Sequence, residues 1–328
     1  MSINKKSSQS YAIFARSSYG DLLMTDPLIK YIKKINKKNL VTLFVEDKNV
    51  QLVEFMEEID FVCKIPSKGN KYFFYTYYGL KFRKNKYDIS IAAKTGVGSA
   101  NGFFQFMLGA KKKISYVSEN KTWTDKLVNH PIIYNEKIYH KQHYALGVLQ
   151  LLDKSFTNIP KSLYPKIKHD LTSKKNSKLK LFLSVSNNRE SCSLNNNKTA
   201  SIINTLSKKF EFDLYISALE KDLIASKDLE KKISQQVNIV VTPKFKEYIA
   251  LLSQMDVCFH GEGGGMHIAA ALGISQVVLF GHTSPLTWAP LSDKSSILSD
   301  KTNVNNIKEE KIIQAIEKKF KSYSHQKS

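Results

Sequence analysis

Short apolar runs alternate with segments whose apolar residues recur at helical spacing, and after a polar interval the alternation begins again. The first half reads as a strand at 11–16 (YAIFAR), a helical stretch carrying Leu22, Leu23, Leu28, Ile29, Ile32 and Ile35, and a strand at 40–46 (LVTLFVE). A helical NVQLVEFMEEI follows, then a strand at 87–93, the segment GSANGFFQFMLG, a strand at 112–117 and a helix over 143–153. Residues 118–140 read as polar and irregular, and residues 154–178, with two prolines and many polar side chains, as a linker region. The second half gives strands at 179–185, 212–218, VNIVVT, 257–260 and 275–281, helices between them, and a terminal helix over 306–320. Strands that alternate with helices build parallel sheets covered on both faces. The expected fold class is therefore α/β, with two doubly wound parallel-sheet domains facing across a cleft: 1–160, a linker at 161–178, and 179–328.

Composition narrows the setting. No run of eighteen apolar residues occurs, so no membrane-spanning helix is expected, and the apolar part of the N-terminus, Tyr11 to Ala15, is too short for a signal-peptide core. Three scattered cysteines, Cys63, Cys192 and Cys258, argue against a disulfide frame or a zinc site and for a reducing compartment. A soluble cytoplasmic protein is the expectation. The net charge of +21 calls for an anionic partner or surface, although lysine and asparagine excess also arises from an AT-rich genome. The charge is uneven: residues 1–165 carry a net +13, and Phe61 to Tyr87 hold seven basic residues, nine aromatics and no acid. Basic residues among aromatics can bind phosphates, an anionic lipid leaflet or single-stranded nucleic acid. They are also compatible with buried rings and solvated lysines.

The motif HGEGGGMHIAAALG, residues 260–273, places four glycines between a strand (VCFH) and a helix. In an open α/β sheet ligands bind beyond the carboxyl ends of the strands. A helix N-terminus there offers unpaired amides and a partial positive charge, and glycines let a phosphate approach the main chain. A phosphorylated ligand is the physical reading; a tight turn that binds nothing is the alternative. The pattern is not G-x-G-x-x-G, and no acidic residue ends the following strand, which weakens a dinucleotide reading.

Two stretches carry a resemblance. Glu262, Gly263, Gly264, Gly265, Met266 and His267, then IAAALG (268–273), VVLFGHT (277–283, ending in Thr283) and WAP (288–290), resemble the donor motif of glycosyltransferase family nine, the bacterial heptosyltransferases. RSSYGDLLMTDP, Arg16 to Pro27, is similar to the motif that follows the first strand of that family. The resemblance implies a GT-B fold of two Rossmann-like domains, with the acceptor on the first and a nucleotide sugar on the second. It implies inverting, metal-independent transfer with no cofactor, most simply of heptose from ADP-heptose to a lipopolysaccharide or lipooligosaccharide core. The setting would be the cytoplasmic face of the inner membrane, with the enzyme bound peripherally. No nucleic acid is expected.

An inverting transfer needs a base for the acceptor hydroxyl. The resemblance gives that role to Asp21; capping its helix is the other reading. His267 would meet the donor phosphates. Arg16, Lys64, Lys68, Lys71, Lys81 and Arg83 are candidate contacts for an anionic acceptor. Two departures matter. Gly263 stands where the family has a hydroxyl residue, and the family's lysine before a Trp-Pro is missing from SVSNNRESCSLNNNKTASII. Arg189 or Lys198 must then meet the leaving diphosphate, with Arg189 favoured because guanidinium binds phosphate bidentately. Glu220 fits a ribose-binding position. A related transferase with another nucleotide sugar and glycan, or a noncatalytic nucleotide-sugar or nucleic-acid binder, remains open.

Overall fold

Both sheets are parallel throughout and share one strand order. The computed structural model describes residues 7–15, 18–92, 100–133, 144–169, 178–185, 187 and 189–325. The chain divides into two units, Met1–Pro165 and Lys166–Ser328. In the first, β1 (Ser10–Ala15), β2 (Leu40–Glu46), β3 (Phe61–Ile65), β4 (Ile89–Ala92), β5 (Lys112–Val117) and β6 (His130–Ile133) lie in the order β3-β2-β1-β4-β5-β6. The helices are α1 (Tyr19–Leu23), α2 (Asp26–Ile35), α3 (Val50–Val53), α4 (Lys71–Arg83), α5 (Asn101–Leu108) and α6 (Tyr144–Leu152).

The second unit has β7 (Leu179–Ser184), β8 (Phe212–Ala218), β9 (Val237–Val241), β10 (Val257–Gly261), β11 (Ser275–Phe280) and β12 (Ser295–Ser299), ordered β12-β11-β10-β7-β8-β9. Its helices are α7 (Asn196–Ser207), α8 (Leu223–Glu230), α9 (Phe245–Ser253), α10 (Gly264–Ala271), α11 (Pro285–Trp288) and α12 (Glu309–His325). Each order reverses once, between β1 and β4 and between β7 and β10, and such a switch point opens a crevice at the carboxyl edge of the strands.

Burial explains the placement. Central β1 is buried from Tyr11 to Ala15, as a parallel strand covered on both faces must be. Phe14 packs at 4.6 Å on Phe104 and 5.3 Å on Tyr75, while Phe44 meets Phe104 at 5.1 Å. Each such ring taken out of water is worth about 1.5–3 kcal/mol. In the second unit Ile202, Ile203 and Leu206 of α7 and Ile312, Ile316 and Phe320 of α12 close over Leu181, Phe259 and Val277 of the sheet.

The structure departs from the sequence expectations in three places. The helical recurrence of 22–35 breaks into α1 and α2, because Pro27 has no N–H to donate and fits only a first turn. β6 lies within the interval read as irregular, and β3 and β12 are strands the sequence did not announce; all three are edge strands. α4 is a helix of thirteen residues in the basic-aromatic stretch. Residues 161–163 of the expected linker form a 3-10 turn, the Tyr164 carbonyl accepts from Lys30 Nζ at 2.5 Å, and the Ile167 amide donates to the Ala271 carbonyl at 3.1 Å. Linker residues 170–177 lie outside the described residues.

Candidate active site

The glycine motif is built as a strand, a turn and a helix at the β7–β10 switch point. β10 ends at Gly261, Gly263 is the N-cap, and α10 starts at Gly264. The first amides of α10 have no intrahelical acceptor and point out at the carboxyl edge of the sheet. Around Gly263 there is open space: a Cβ built there meets nothing within 4 Å. Gly265 is crowded instead, since a Cβ would lie 2.7 Å from the Tyr248 hydroxyl.

Glu262 is buried, and its carboxylate joins three loops. It accepts from the Thr283 amide at 3.1 Å, from the Thr283 hydroxyl, and from the Cys192 thiol at 2.8 Å. Arg189 Nη1 lies 4.0 Å from Glu262 Oε1, with the arginine side chain 53% exposed. One end of that guanidinium therefore rests on a buried anion while the rest faces solvent beside the motif. Burial, and next the hydrogen bond to Glu262, push the Cys192 thiol up to about 11, so it stays a neutral donor. Asn187 Nδ2 donates to the Glu262 carbonyl at 2.8 Å, and Asn187 Oδ1 receives the Arg189 amide at 3.1 Å.

Two glycines seat the loop that carries Arg189. A Cβ on Gly261 would lie 2.0 Å from the Cys192 carbonyl oxygen, and one on Gly281 would lie 2.2 Å from that of Ser191. The 3-10 turn Glu190–Cys192 thus rests directly on the ends of β10 and β11. Cys192, Gly261 and Gly281 were not singled out from the sequence as site residues. Both glycines lie within the sequence motifs, Gly261 in HGEGGG and Gly281 in VVLFGHT, and each closes an apolar strand.

The remaining donor-side candidates are dispersed. His267 is buried in the first turn of α10, and burial lowers its pKa to about 4, which keeps the imidazole neutral. His260 lies beneath that turn, its Nδ1 3.8 Å from where a Gly265 Cβ would stand. Met266 is buried with Val278 and Phe280. Glu220 is exposed in the turn after β8, the strand beside β7. Lys198 is engaged elsewhere: its ammonium donates to the carbonyls of Asn305 at 2.6 Å and Ile307 at 2.5 Å.

In the first unit, Asp21 lies in α1, which follows β1 at the β1–β4 switch point. Asp21 Oδ2 accepts from the Ser18 hydroxyl at 3.0 Å and the Ser18 amide at 3.2 Å. Neighbouring loops of that edge are tied together. The Tyr19 hydroxyl donates to the Lys48 carbonyl at 3.0 Å, and Asp47 Oδ1 accepts from the Ser67 amide at 3.2 Å. A hydrogen bond from the Ser67 side chain comes first among the causes that lower the Asp47 pKa. Lys64 is on β3, with Lys68 and Lys71 just beyond its carboxyl end. Lys81 and Arg83 are at the far end of α4, a helix about 20 Å long. The five described basic candidates are therefore not brought together, and Arg16 lies outside the described residues.

A family model, glycosyltransferase family 9 (heptosyltransferase), matches residues 78–317. Lipopolysaccharide heptosyltransferase 1 of Campylobacter coli is 24% identical over 322 residues, covering 90% of this chain and 91% of the relative. Among solved structures, a family 9 glycosyl transferase from Veillonella parvula superposes with a TM-score of 0.79 at 12% identity, covering 95% of this chain and 97% of that one. ADP-heptose LPS heptosyltransferase II of E. coli gives 0.76 at 13% identity, with 96% and 99% covered. These likenesses agree with the two parallel six-stranded sheets and with the GT-B arrangement expected from the sequence.

Proposed function

The chain belongs to glycosyltransferase family 9, the heptosyltransferases, and is a glycosyltransferase; from that premise we propose that it moves heptose from ADP-heptose to an anionic lipopolysaccharide or lipooligosaccharide core acceptor, with inversion and without a metal. The observation that carries the donor half is the loop around Glu262: unpaired amides of α10 and the Arg189 guanidinium stand at one switch point. The likeness to a lipopolysaccharide heptosyltransferase 1 and to an ADP-heptose LPS heptosyltransferase II supports heptose and ADP.

In the proposed reaction Asp21 accepts the proton of an acceptor hydroxyl as its oxygen attacks the anomeric carbon. The bond from that carbon to the diphosphate oxygen breaks, and its electron pair leaves with ADP. The α10 amides, Arg189 and a neutral His267 N–H meet the developing charge, the role of preorganised donors in a site of this kind. Arg189 is preferred to Lys198 because Lys198 already donates to two carbonyls. Glu220 would take the ribose, and Lys64, Lys68 and Lys71 the phosphates or acidic sugars of the acceptor. Such an acceptor is lipid-anchored, so the enzyme would work peripherally at the inner face of the inner membrane. No described helix is long and apolar enough to cross one.

A panel of nucleotide sugars offered with a lipid A–inner core acceptor, with and without EDTA, tests the reading. Heptosylated product from ADP-heptose, undiminished by EDTA, is expected. Product from a different donor, or loss of product with EDTA, would overturn the donor or the metal-independent part respectively.

A further inference from the structure

α4 differs from the other helices in what it leaves in water. Its sequence, KYFFYTYYGLKFR, is apolar or aromatic on every side, a pattern that belongs to a buried or a membrane helix. One side is in the core. Tyr75 packs on Phe14 and Phe104, and Gly79 abuts α5 so closely that a Cβ would lie 2.4 Å from Met107 Cβ. The other side is a row at positions i, i+4 and i+7: Phe73, Tyr77 and Leu80 are 66%, 52% and 52% exposed. At the amino end of the row the exposed Trp123 stacks on Tyr72, ring centroids 6.1 Å apart.

The sequence that carries this row is strongly basic. From Phe61 to Ser118 the chain has eleven Lys and Arg and a single acid, Asp88, which is paired with Lys111 at 2.8 Å. Lys68 and Lys71 stand near the start of α4 and Lys81 near its end. Lys71 and Lys81 place their ammonium groups over the rings of Tyr72 and Tyr77, with Nζ 5.2 and 5.7 Å from the centroids. Past the last turn, Arg83, Lys84, Lys86 and Lys111 line a groove, with Arg83 lying over Gly109.

We propose that α4 lies flat on an anionic bilayer, with Phe73, Tyr77 and Leu80 in the headgroup–acyl boundary and Arg83, Lys84 and Lys86 of the groove on phospholipid phosphates. A row of apolar side chains flanked by cations at both ends is what an interfacial helix needs. Single-stranded nucleic acid fits less well. It is bound along a charged groove floored with stacking rings, whereas this row stands on the outer face of a helix and includes an aliphatic Leu80. The inference deepens the membrane element of the proposed function, and it is tested apart from turnover.

The test is flotation of the full chain with vesicles of phosphatidylcholine alone or mixed with phosphatidylglycerol, over a range of salt. Binding to the mixed vesicles only, falling with salt, is expected. Arg83→Ser, Lys84→Ser and Lys86→Ser should each weaken it about fivefold, since one basic residue at an anionic surface is worth about that factor. Phe73→Ser with Tyr77→Ser should abolish binding at moderate salt while leaving the melting temperature and ADP affinity unchanged. Equal binding to neutral vesicles, or binding indifferent to these substitutions, would overturn the proposal. So would tighter binding to a single-stranded RNA oligomer that displaces vesicles, or displacement by millimolar inorganic phosphate, which would mark a soluble-phosphate site. Failed vesicle binding with intact ADP binding would leave the donor reading standing.

Discussion

The Cys192 thiol donates a hydrogen bond to the Glu262 carboxylate at 2.8 Å across seventy residues of chain. Because Thr283 donates to the same carboxylate, loops that follow β7, β10 and β11 share one buried anion. Cys192→Ala should remove one donor and cost about 1–3 kcal/mol of stability, the range for a bond to a charged group, with weaker ADP binding as Arg189 loses its footing. Cys192→Ser should restore both in denaturant titration and calorimetry. A serine variant as impaired as the alanine variant would mean that the thiol is needed for its volume alone.

Asp21 both caps α1 and is the proposed base, and two substitutions separate the roles. Ser18→Ala removes the contact at 3.0 Å but keeps the carboxylate; a loss of about 1 kcal/mol of stability with near-normal turnover is expected. Asp21→Asn should lower turnover on the order of 10²-fold or more at nearly unchanged ADP affinity. Equal turnover in the wild type and the Asn variant would reduce Asp21 to a cap.

Arg189 and Lys198 should differ in which quantity they change. Arg189→Ala is expected to leave the melting temperature near wild type and to lower transfer by 10-fold or more, as for loss of a donor to a developing oxyanion. Lys198→Ala should instead release the Asn305 and Ile307 carbonyls and lower stability by about 1–3 kcal/mol. A thermal melt and a transfer assay on the same two proteins decide the matter, and the opposite pattern would move the cation role to Lys198.

The open space at Gly263 can be filled. Its backbone is extended, at φ 160° and ψ −173°, which any residue adopts. Gly263→Thr should fold normally and tighten ADP several-fold by adding a hydroxyl beside the α10 amides. Gly261→Ala should destabilise strongly, because the Cys192 carbonyl oxygen occupies the place of its Cβ. Calorimetry with ADP and a melting curve for each variant test the pair; weaker ADP binding by the Thr variant would show that the space is used by the nucleotide itself.

Acid should destabilise the second unit in a defined window. Burial lowers His267 from 6.5 to about 4, and burial, opposed in part by Gln276, does the same to His260. Between those values the unfolded chain binds more protons than the folded one. Stability therefore rises with pH across that interval and is lost as pH falls, by up to roughly 3 kcal/mol per ring. Denaturant titrations between about pH 6.5 and 5, where few carboxylates titrate, should show the slope, and His260→Leu should reduce it. A flat profile would mean that the rings are not buried neutral.

What the sequence revealed follows burial. Central strands such as 40–46 and 257–260 are mostly apolar and buried and stood out, whereas β3, β6 and β12 are edge strands with exposed or polar positions, and β6 contains Pro131. α4 was hidden because apolar residues on every side leave no helical period. At the site, the glycine turn and Asp21 were visible as motifs, whereas the links from Glu262 to Cys192 and Thr283 join residues far apart in sequence, and no local pattern marks them. The sequence favoured Arg189 over Lys198 on guanidinium chemistry alone; the backbone carbonyls that hold Lys198 add a ground that no sequence pattern shows.

The bare contacts of Gly261 and Gly281 with the carbonyls of Cys192 and Ser191 have a consequence for how this enzyme can change. The floor of the Arg189 loop tolerates no added atom, so the height of that loop above the sheet is set by two bare backbone contacts. Any change of donor preference must therefore be built on top of the two strand ends, never into them. Saturating libraries at the two glycines should keep almost no member folded.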